Sequence, residues 1–388
     1  MTKLAVFSLI LIISILLGIS FAGFSYSQDP VSVRIRVAGD EEKIMLSVKG
    51  PYRIEAINKD LLLDEGKYLK TSYVIPTNSG LLLGFRLGVQ EFKIYGIRII
   101  PEKDATIYLN RKPFRGIVDI IRTEKFKLLV VNHVDIEKYL YGVLHHETPY
   151  YWPAETLKAQ AVAARTFAMH RKEIMREKDY DLTSDIYSQV YGGRAGERRS
   201  TRKAVDRTRG KILTYKGKVL PAYYHSMCAG HTESAKIVFN MSLPPLRGVS
   251  CPYCKGAPHM QWKKSFSYKQ IEKKLNNYGI ALNGVNFIVE GKRDASGRLE
   301  SVKVRHKKGT ETIKAYKFRL ALGPNKLRST NFTIRITSKG VVFNGKGWGH
   351  GVGMCQWGAF GMGKRRFNYK QILEFYYPGA KITDINKI

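Results

Sequence analysis

The sequence predicts an α+β fold, a β-rich N-terminal unit packed with a mixed helical and β-strand catalytic unit. A change of hydrophobic period near residue 134 is the main reason. From Val31 to about His133, runs such as "VSVRIRV", "FKIYGIRII" and "KLLVV" are β-branched or aromatic, and Gly, Asp, Asn and Pro separate them. Short strands joined by turns have this signature. From Asp135 the apolar residues Ile136, Tyr139, Leu140, Val143 and Leu144 recur at helical spacing.

"TPYYWP" breaks that helix. Pro153 suits the start of the next one, where its missing N–H costs nothing, and Glu155 suits the positive end of the helix dipole. The second helix is expected to run to about Lys178, with a mostly small inner face of Leu157, Ala161, Ala164 and Ala168. "GERRSTRKAVDRTRG" is a solvated charge run with helical potential. "TRGKILTY" and "KVLPAYYHSMCAGHTESA" read as strands, "SYKQIEKKLNNYG" as an amphipathic helix, and "RLESVKVRHK", "TIRITS" and "GVVFNG" as further strands. "NYKQILEFYYPGAKI" closes the chain as a helix stopped by Pro378-Gly379. The expected division is 1–27 as a leader or anchor, 28–133 as the β-rich unit and 134–388 as the catalytic region.

A chain of 388 residues is long enough for two or three packed units, and 44% hydrophobic residues exclude wholesale disorder. The 65 Lys and Arg outnumber 32 Asp and Glu, a formal charge of +33. That excess attracts polyanions: nucleic acid, an anionic membrane surface or anionic cell-wall polymers. The N-terminus narrows the choice. Lys3 precedes an uncharged apolar run from Leu4 to about Phe24, with Ser20-Phe21-Ala22 as a small-x-small cleavage site. A cleaved signal and a retained anchor both fit this run. Either exports the rest of the chain, to face the cell wall, and counts against nucleic acid as the partner.

Four candidate constellations follow. His146-Glu147 lacks the second histidine four residues on, and Pro149 spoils the helix, so a zinc-protease reading fails. His225, Cys228, Cys251 and Cys254, with His231 as an alternative ligand, have the residue types and tight spacing of one structural zinc. A disulfide, Cys251–Cys254 or Cys228 to one of them, is the competing reading in an exported chain, and a thiol redox site is a third. The stretch "GKGWGHGVGMCQWGAFGMG" surrounds His350 and Gln356 with glycines. Trp348 and Trp357 suit stacking on flat sugar faces, and a glycine-rich hairpin with a core tryptophan is the plainer alternative. It has no phosphate-loop pattern, and no helix is expected to open there in the right register. Finally, paired carboxylates are scarce near Glu147, whereas a hydrolytic glycosidase normally needs two.

"DIEKYLYGVLHHETPYYWPAETLKAQAVAARTFA", "SQVYGG" and "GWGHGVGMCQWGAFGM…YKQILEFYYPGAKI" together resemble the stage II sporulation protein D (SpoIID/LytB) family. "LNRKPFRGIVDI…LLVVNHV" resembles its β-rich lead-in. The resemblance covers about residues 30 to 385. It implies a lytic transglycosylase that cuts peptidoglycan glycan strands, with Glu147 as catalytic acid, aided by His350 and Gln356. Tyr150, Arg165, Gln189 and Tyr191 lie in the matching segments and are expected to bind substrate with Trp348 and Trp357. Cys355 stands where Ser is usual in the family, which reads as a substitute for it and leaves Cys228, Cys251 and Cys254 for metal. The family also includes enhancers of cell-wall amidases, so a non-catalytic wall-binding module with an amidase partner is the alternative function.

The chemistry expected of Glu147 needs no cofactor. Tyr150, Tyr151 and Trp152 are expected to desolvate its carboxyl, raise its pKa and keep a proton for the leaving oxygen. Protonated His145 or His146 would oppose that shift. The carboxylate then takes the proton of the sugar's C6 hydroxyl, which closes on C1 as a 1,6-anhydro ring.

Overall fold

The computed structural model describes residues 31–388 except 86–87, 186–187, 259 and 339. The apolar run read as a leader or anchor lies outside the described residues. Among those described, no helix is long and apolar enough to cross a membrane.

The first hundred described residues form strands, as their alternation predicts. They supply ten strands of an eleven-stranded sheet, whose eleventh, Leu182–Thr183, lies at one edge beside Ser32–Glu41. Ser32–Glu41 pairs antiparallel with Leu128–Asp135, which ends the sheet and leads into the first helix. The inward side chains Val33, Ile35, Ile54, Ile97, Ile99, Val118, Ile120 and Val130 are fully buried. Their alternation with Lys and Arg leaves one face of these strands solvated.

Helix α1 spans Ile136–Glu147 and is capped by Asp135, whose carboxylate accepts the N–H groups of Glu137 and Lys138. Thr148 is extended, as a residue before proline prefers, so the helix stops with Glu147 at its very end. Helix α2, Ala154–Ile174, starts after Pro153 as expected and ends at Ile174, short of Lys178. Its buried alanines let other helices approach: α3 (Arg199–Asp206), which is the charge run, and later the helices Gln356–Lys364 and Tyr369–Tyr376. Short α4 (Ala235–Phe239) is followed by α5 (Tyr268–Asn277), which carries a capping box of Ser267 and Gln270.

Two elements depart from the sequence reading. "AYKFRLAL" forms helix α6, Ala315–Leu322, which no capping residue announces. A helix also opens after the glycine-rich stretch: α7, Gln356–Lys364, capped by the Cys355 sulfur accepting the N–H of Gly358. The chain then folds into α8, Tyr369–Tyr376, as expected. The segment "KVLPAYYHSMCAGHTESA", read as strand, holds only the brief strands Lys218–Val219 and Tyr224–His225.

The part beyond the sheet contains two buried cores. One gathers Ala159, Val162, Leu213, Met227, Val352, Met354, Ala359, Ile372 and Tyr377 from α2, α7, α8 and the loops between. The other lies wholly between Trp262 and Phe343 and packs α5 and α6 on two three-stranded sheets. Buried Arg298 ties the second to the first: its guanidinium donates to the carbonyls of Cys228 and His231, both at 2.7 Å.

Candidate active site

The segments 223–233 and 348–355 run alongside each other. Tyr224 pairs with Met354 and His225 with Cys355, while Met227 pairs with Trp348 and Glu233 with Val352. Gly347, Gly349, Gly351 and Gly353 all have positive φ, and a Cβ at Gly349 or Gly351 would press on His225 or Glu233. The glycines therefore allow a crowded double strand that brings polar side chains to one pocket.

That pocket, with a volume of about 480 Å³, is lined by Glu147 from the end of α1, Ser188 and Val190, His225 and Ser226, Trp348, His350 and Gln356. Its far wall comes from the second core: Tyr316, Arg319 and Leu320 of α6, then Pro324 and Asn325. Glu147 is the single carboxylate among the described lining residues. Burial pushes its pKa up to about 7, partly offset by the N–H of Val190, 3.2 Å from Oε1, and by the amide of Gln356. The proton is therefore held near neutral pH, and two donors wait for the carboxylate when it leaves.

Tyr150, Tyr151 and Trp152, expected to desolvate the carboxyl, are not among the described residues that line the pocket. Tyr150 and Tyr151 are exposed and pack edge-on near His145, and Trp152 packs on Trp357 and Phe360. The groups that feel the Glu147 charge are the phenols of buried Tyr139 and Tyr224. His145 and His146 are both held below their ordinary value, first by burial and then by neighbouring positive charge including Arg198. Neutral rings do not depress Glu147. Gly192 and Gly196 leave room for the His146 ring, where any Cβ would collide with it.

Several residues expected to meet substrate are interior. Arg165 is fully buried, paired with Glu137 at 2.5 Å and bonded to the carbonyl of Lys211. Gln189 bridges the hydroxyls of Tyr139 and Tyr224 and the carbonyl of Ala164. Tyr191 bonds Asn132 at 3.0 Å and packs on Tyr139. These three are bonded within the interior and offer no free group to a ligand. Tyr150 and Trp357 lie off the pocket lining, whereas half-buried Trp348 is in it, with the Arg328 guanidinium 4.5 Å over its ring. His350 also lines the pocket, but its Nδ1 accepts from the Val352 N–H at 3.0 Å. Burial, then the charge of Arg319, lowers its pKa to about 3. With its Nδ1 committed and its ring held neutral, His350 shapes the wall.

Behind the pocket, Cys228, Cys251, Cys254 and Cys355 place their sulfurs within 4.8 Å of one another, all buried and none in a disulfide. This corrects the sequence reading, in which Cys355 was a stand-in for Ser and a histidine the fourth ligand. His225 stands apart, its Nδ1 on the Val352 carbonyl at 3.1 Å, and His231 bonds the Thr232 carbonyl. The signal available in the sequence was the count of four cysteines, which a four-thiolate site uses completely. The set fits a tetrahedral metal: four converging buried thiols, with the N–H groups of Cys228 and Gly358 each 3.2 Å from the Cys355 sulfur.

Comparison with known proteins adds the following. A family model described as stage II sporulation protein matches residues 124–215, and one described as a domain of unknown function (DUF8618) matches 254–353. The second range covers most of the second core and the pocket's far wall. An uncharacterized protein of Brachyspira hyodysenteriae is 36% identical, over 92% of this chain and 94% of its own length. The stage II sporulation protein D of Bacillus amyloliquefaciens is 31% identical over 66% of this chain and 76% of its own length. The amidase enhancer of Bacillus subtilis is 30% identical over 80% of this chain, which spans half of that relative.

Proposed function

The chain belongs to the stage II sporulation protein D family, and from that premise we propose that it is a lytic transglycosylase cleaving peptidoglycan glycan strands. The observation that carries this reading is the lone pocket carboxylate, Glu147, with its pKa near 7 and two hydrogen-bond donors at hand. Protonated Glu147 gives its proton to the glycosidic oxygen as the C1–O bond breaks. The resulting carboxylate is stabilised by the Val190 N–H and the Gln356 amide. It then takes the C6 hydroxyl proton, and that oxygen bonds C1. No water is consumed and no second carboxylate is needed, which suits this lining better than hydrolysis does. Trp348 supplies a flat face for a sugar ring.

The four thiols hold one structural zinc in this reading, closed to substrate and taking no part in the chemistry. The protein acts outside the cytoplasm, where its charge of +33 draws it to anionic wall polymers or membrane surfaces.

The name of the Bacillus subtilis relative favours a second reading, in which the chain binds wall and stimulates an amidase. Product analysis separates the two. Purified protein acting alone on wall glycan is expected to release fragments with 1,6-anhydro ends, and Glu147→Gln to lose this by several orders of magnitude while still binding wall. Reducing ends would indicate hydrolysis. Fragments appearing only with an added amidase, unaffected by Glu147→Gln, would favour the enhancer.

A further inference from the structure

Arg319 on α6 is only 5% exposed, yet its side chain reaches the pocket that holds Glu147. Nε donates to the Arg328 carbonyl at 3.0 Å and one Nη to the Pro324 carbonyl at 3.3 Å. Those bonds cap the end of α6 and satisfy two donor positions, but carbonyl dipoles do not neutralise a full charge. No carboxylate of the described residues forms an ion pair with it, although Arg34, Arg98, Arg115 and Arg165, all partly or fully buried, each have one. A buried cation without a counter-ion costs several kcal/mol (roughly, in a low-dielectric site), so its retention needs a compensating partner.

The rest of the lining offers none. Glu147 is the single described acidic residue there, and His146, His225 and His350 are all held towards neutrality by burial. Burial lowers Arg319 itself only to about 10, so it stays charged. Near neutral pH the pocket is thus positive on its α6 side. Asn325 and Tyr316 flank that cation, and Arg328, whose carbonyl fixes it, stacks on Trp348. The cation and the sugar-facing ring are therefore held at a fixed relation by one short segment.

We propose that Arg319 is a specificity-determining residue that binds a carboxylate of the substrate, so that the unit carrying α6 selects for acidic sugar chains. The inference rests on glycan as the ligand. A guanidinium matches a carboxylate bidentately, which neither an amide nor a hydroxyl can reproduce. Two carboxylates of peptidoglycan fit this chemistry: the lactyl carboxylate of a muramic sugar without its peptide, and a free carboxylate of an attached stem peptide.

The test is equilibrium binding to the Glu147→Gln protein, read by tryptophan fluorescence, of four purified glycan tetramers. One is peptide-free with lactyl carboxylates, one is the same with those carboxylates converted to methylamides, one bears stem peptides, and one bears stem peptides whose carboxylates are amidated. Amidation is expected to weaken binding of the peptide-free chain roughly ten- to hundredfold. If instead the stem-bearing chain binds tightest and loses as much when its peptide carboxylates are amidated, the peptide is the source and the inference holds. Adding Arg319→Gln should abolish the discrimination, and Arg319→Lys should restore part of it. The comparison of chains on otherwise unaltered protein stands even where Arg319→Gln fails to fold. Equal binding of every charged and amidated pair would overturn the role of Arg319 while leaving the glycan reading intact. Binding of none would overturn both.

Discussion

Cys355 and Gln356 are adjacent in the chain and serve opposite sides of one wall. The Cys355 sulfur lies in the thiol cluster and caps α7, while the Gln356 amide lines the pocket with Glu147 and favours its ionised carboxyl. Whatever fixes the four sulfurs also fixes the first turn of α7, and through it the amide of Gln356 in the pocket that holds Glu147. Tyr376 of α8, whose hydroxyl lies 3.1 Å from the Cys251 sulfur, joins the same assembly. A Cβ at Gly358 would collide with that hydroxyl.

This linkage predicts a metal dependence of activity without metal chemistry. Purified protein is expected to hold about one zinc per chain, measured by mass spectrometry of the metal, because a closed thiolate site contributes its binding energy to folding. Cys355→Ala should lose the metal, lower Tm by well over about 5 °C and reduce turnover together with it. Four titratable thiols with no metal in freshly prepared protein would contradict this, and so would full activity after complete metal removal.

Gln356 and His350 should behave differently despite lining one pocket. Gln356→Ala removes a donor to the Glu147 carboxylate, so kcat on wall glycan should fall roughly ten- to hundredfold with little change in Tm. His350→Ala removes a ring packed against Tyr223, His225 and Phe239. It should cost stability first, roughly 2–4 kcal/mol, and leave the pH profile of the residual activity where it was. A shifted profile in His350→Ala would restore a proton-transfer role for that ring.

The strand and helix periods were legible because burial enforces them. Val33, Ile35 and the alternating residues of the sheet, and the spacing of Ile136 to Leu144, announce their elements directly. The place of Glu147 at a helix end was legible too, since a helix usually ends before a residue that precedes proline, while the acid role proposed for it came from the family resemblance alone. What escaped was decided by distant partners. Arg165 and Gln189 look like polar site residues, but Glu137, Tyr139 and Tyr224 absorb their hydrogen bonds across more than twenty intervening residues. Cys355 meets Cys228 only through the parallel pairing of 224–225 with 354–355. Arg319 sits on a helix with no sequence cap, and only the packing of the second core places it at the pocket.

The charge excess predicts a salt-sensitive association with the wall. Most of the Lys and Arg residues are exposed, and exposed contacts are screened within roughly 8 Å at physiological ionic strength. Retention on isolated anionic wall should fall several-fold between about 0.05 and 0.5 M salt. Retention that ignores salt would assign the binding to the sugar-facing pocket instead.

The pH dependence follows from Glu147. In the proposed role of general acid it works protonated, and its pKa stands at about 7 against an ordinary value of 4.5. Cleavage measured as kcat/KM should therefore be flat below about pH 6 and decline above about pH 7, approaching tenfold per unit. Stability moves in the same direction. Between 4.5 and 7 the folded protein holds a proton that the unfolded chain has released, so ΔG of unfolding falls as pH rises through this window. The loss from Glu147 is at most about 3 kcal/mol, and less because its carboxyl is partly open to pocket water. Glu233, raised to about 8 first by burial and then by Asp294, adds a slope of the same sign, so the wild-type curve alone does not isolate Glu147. The difference between wild type and Glu147→Gln does. The variant should gain a few degrees of Tm over wild type at pH 8 and little at pH 5. A variant that is equally or less stable at pH 8 would mean that the carboxyl is not strained by its surroundings, and the acid role assigned to it would fall.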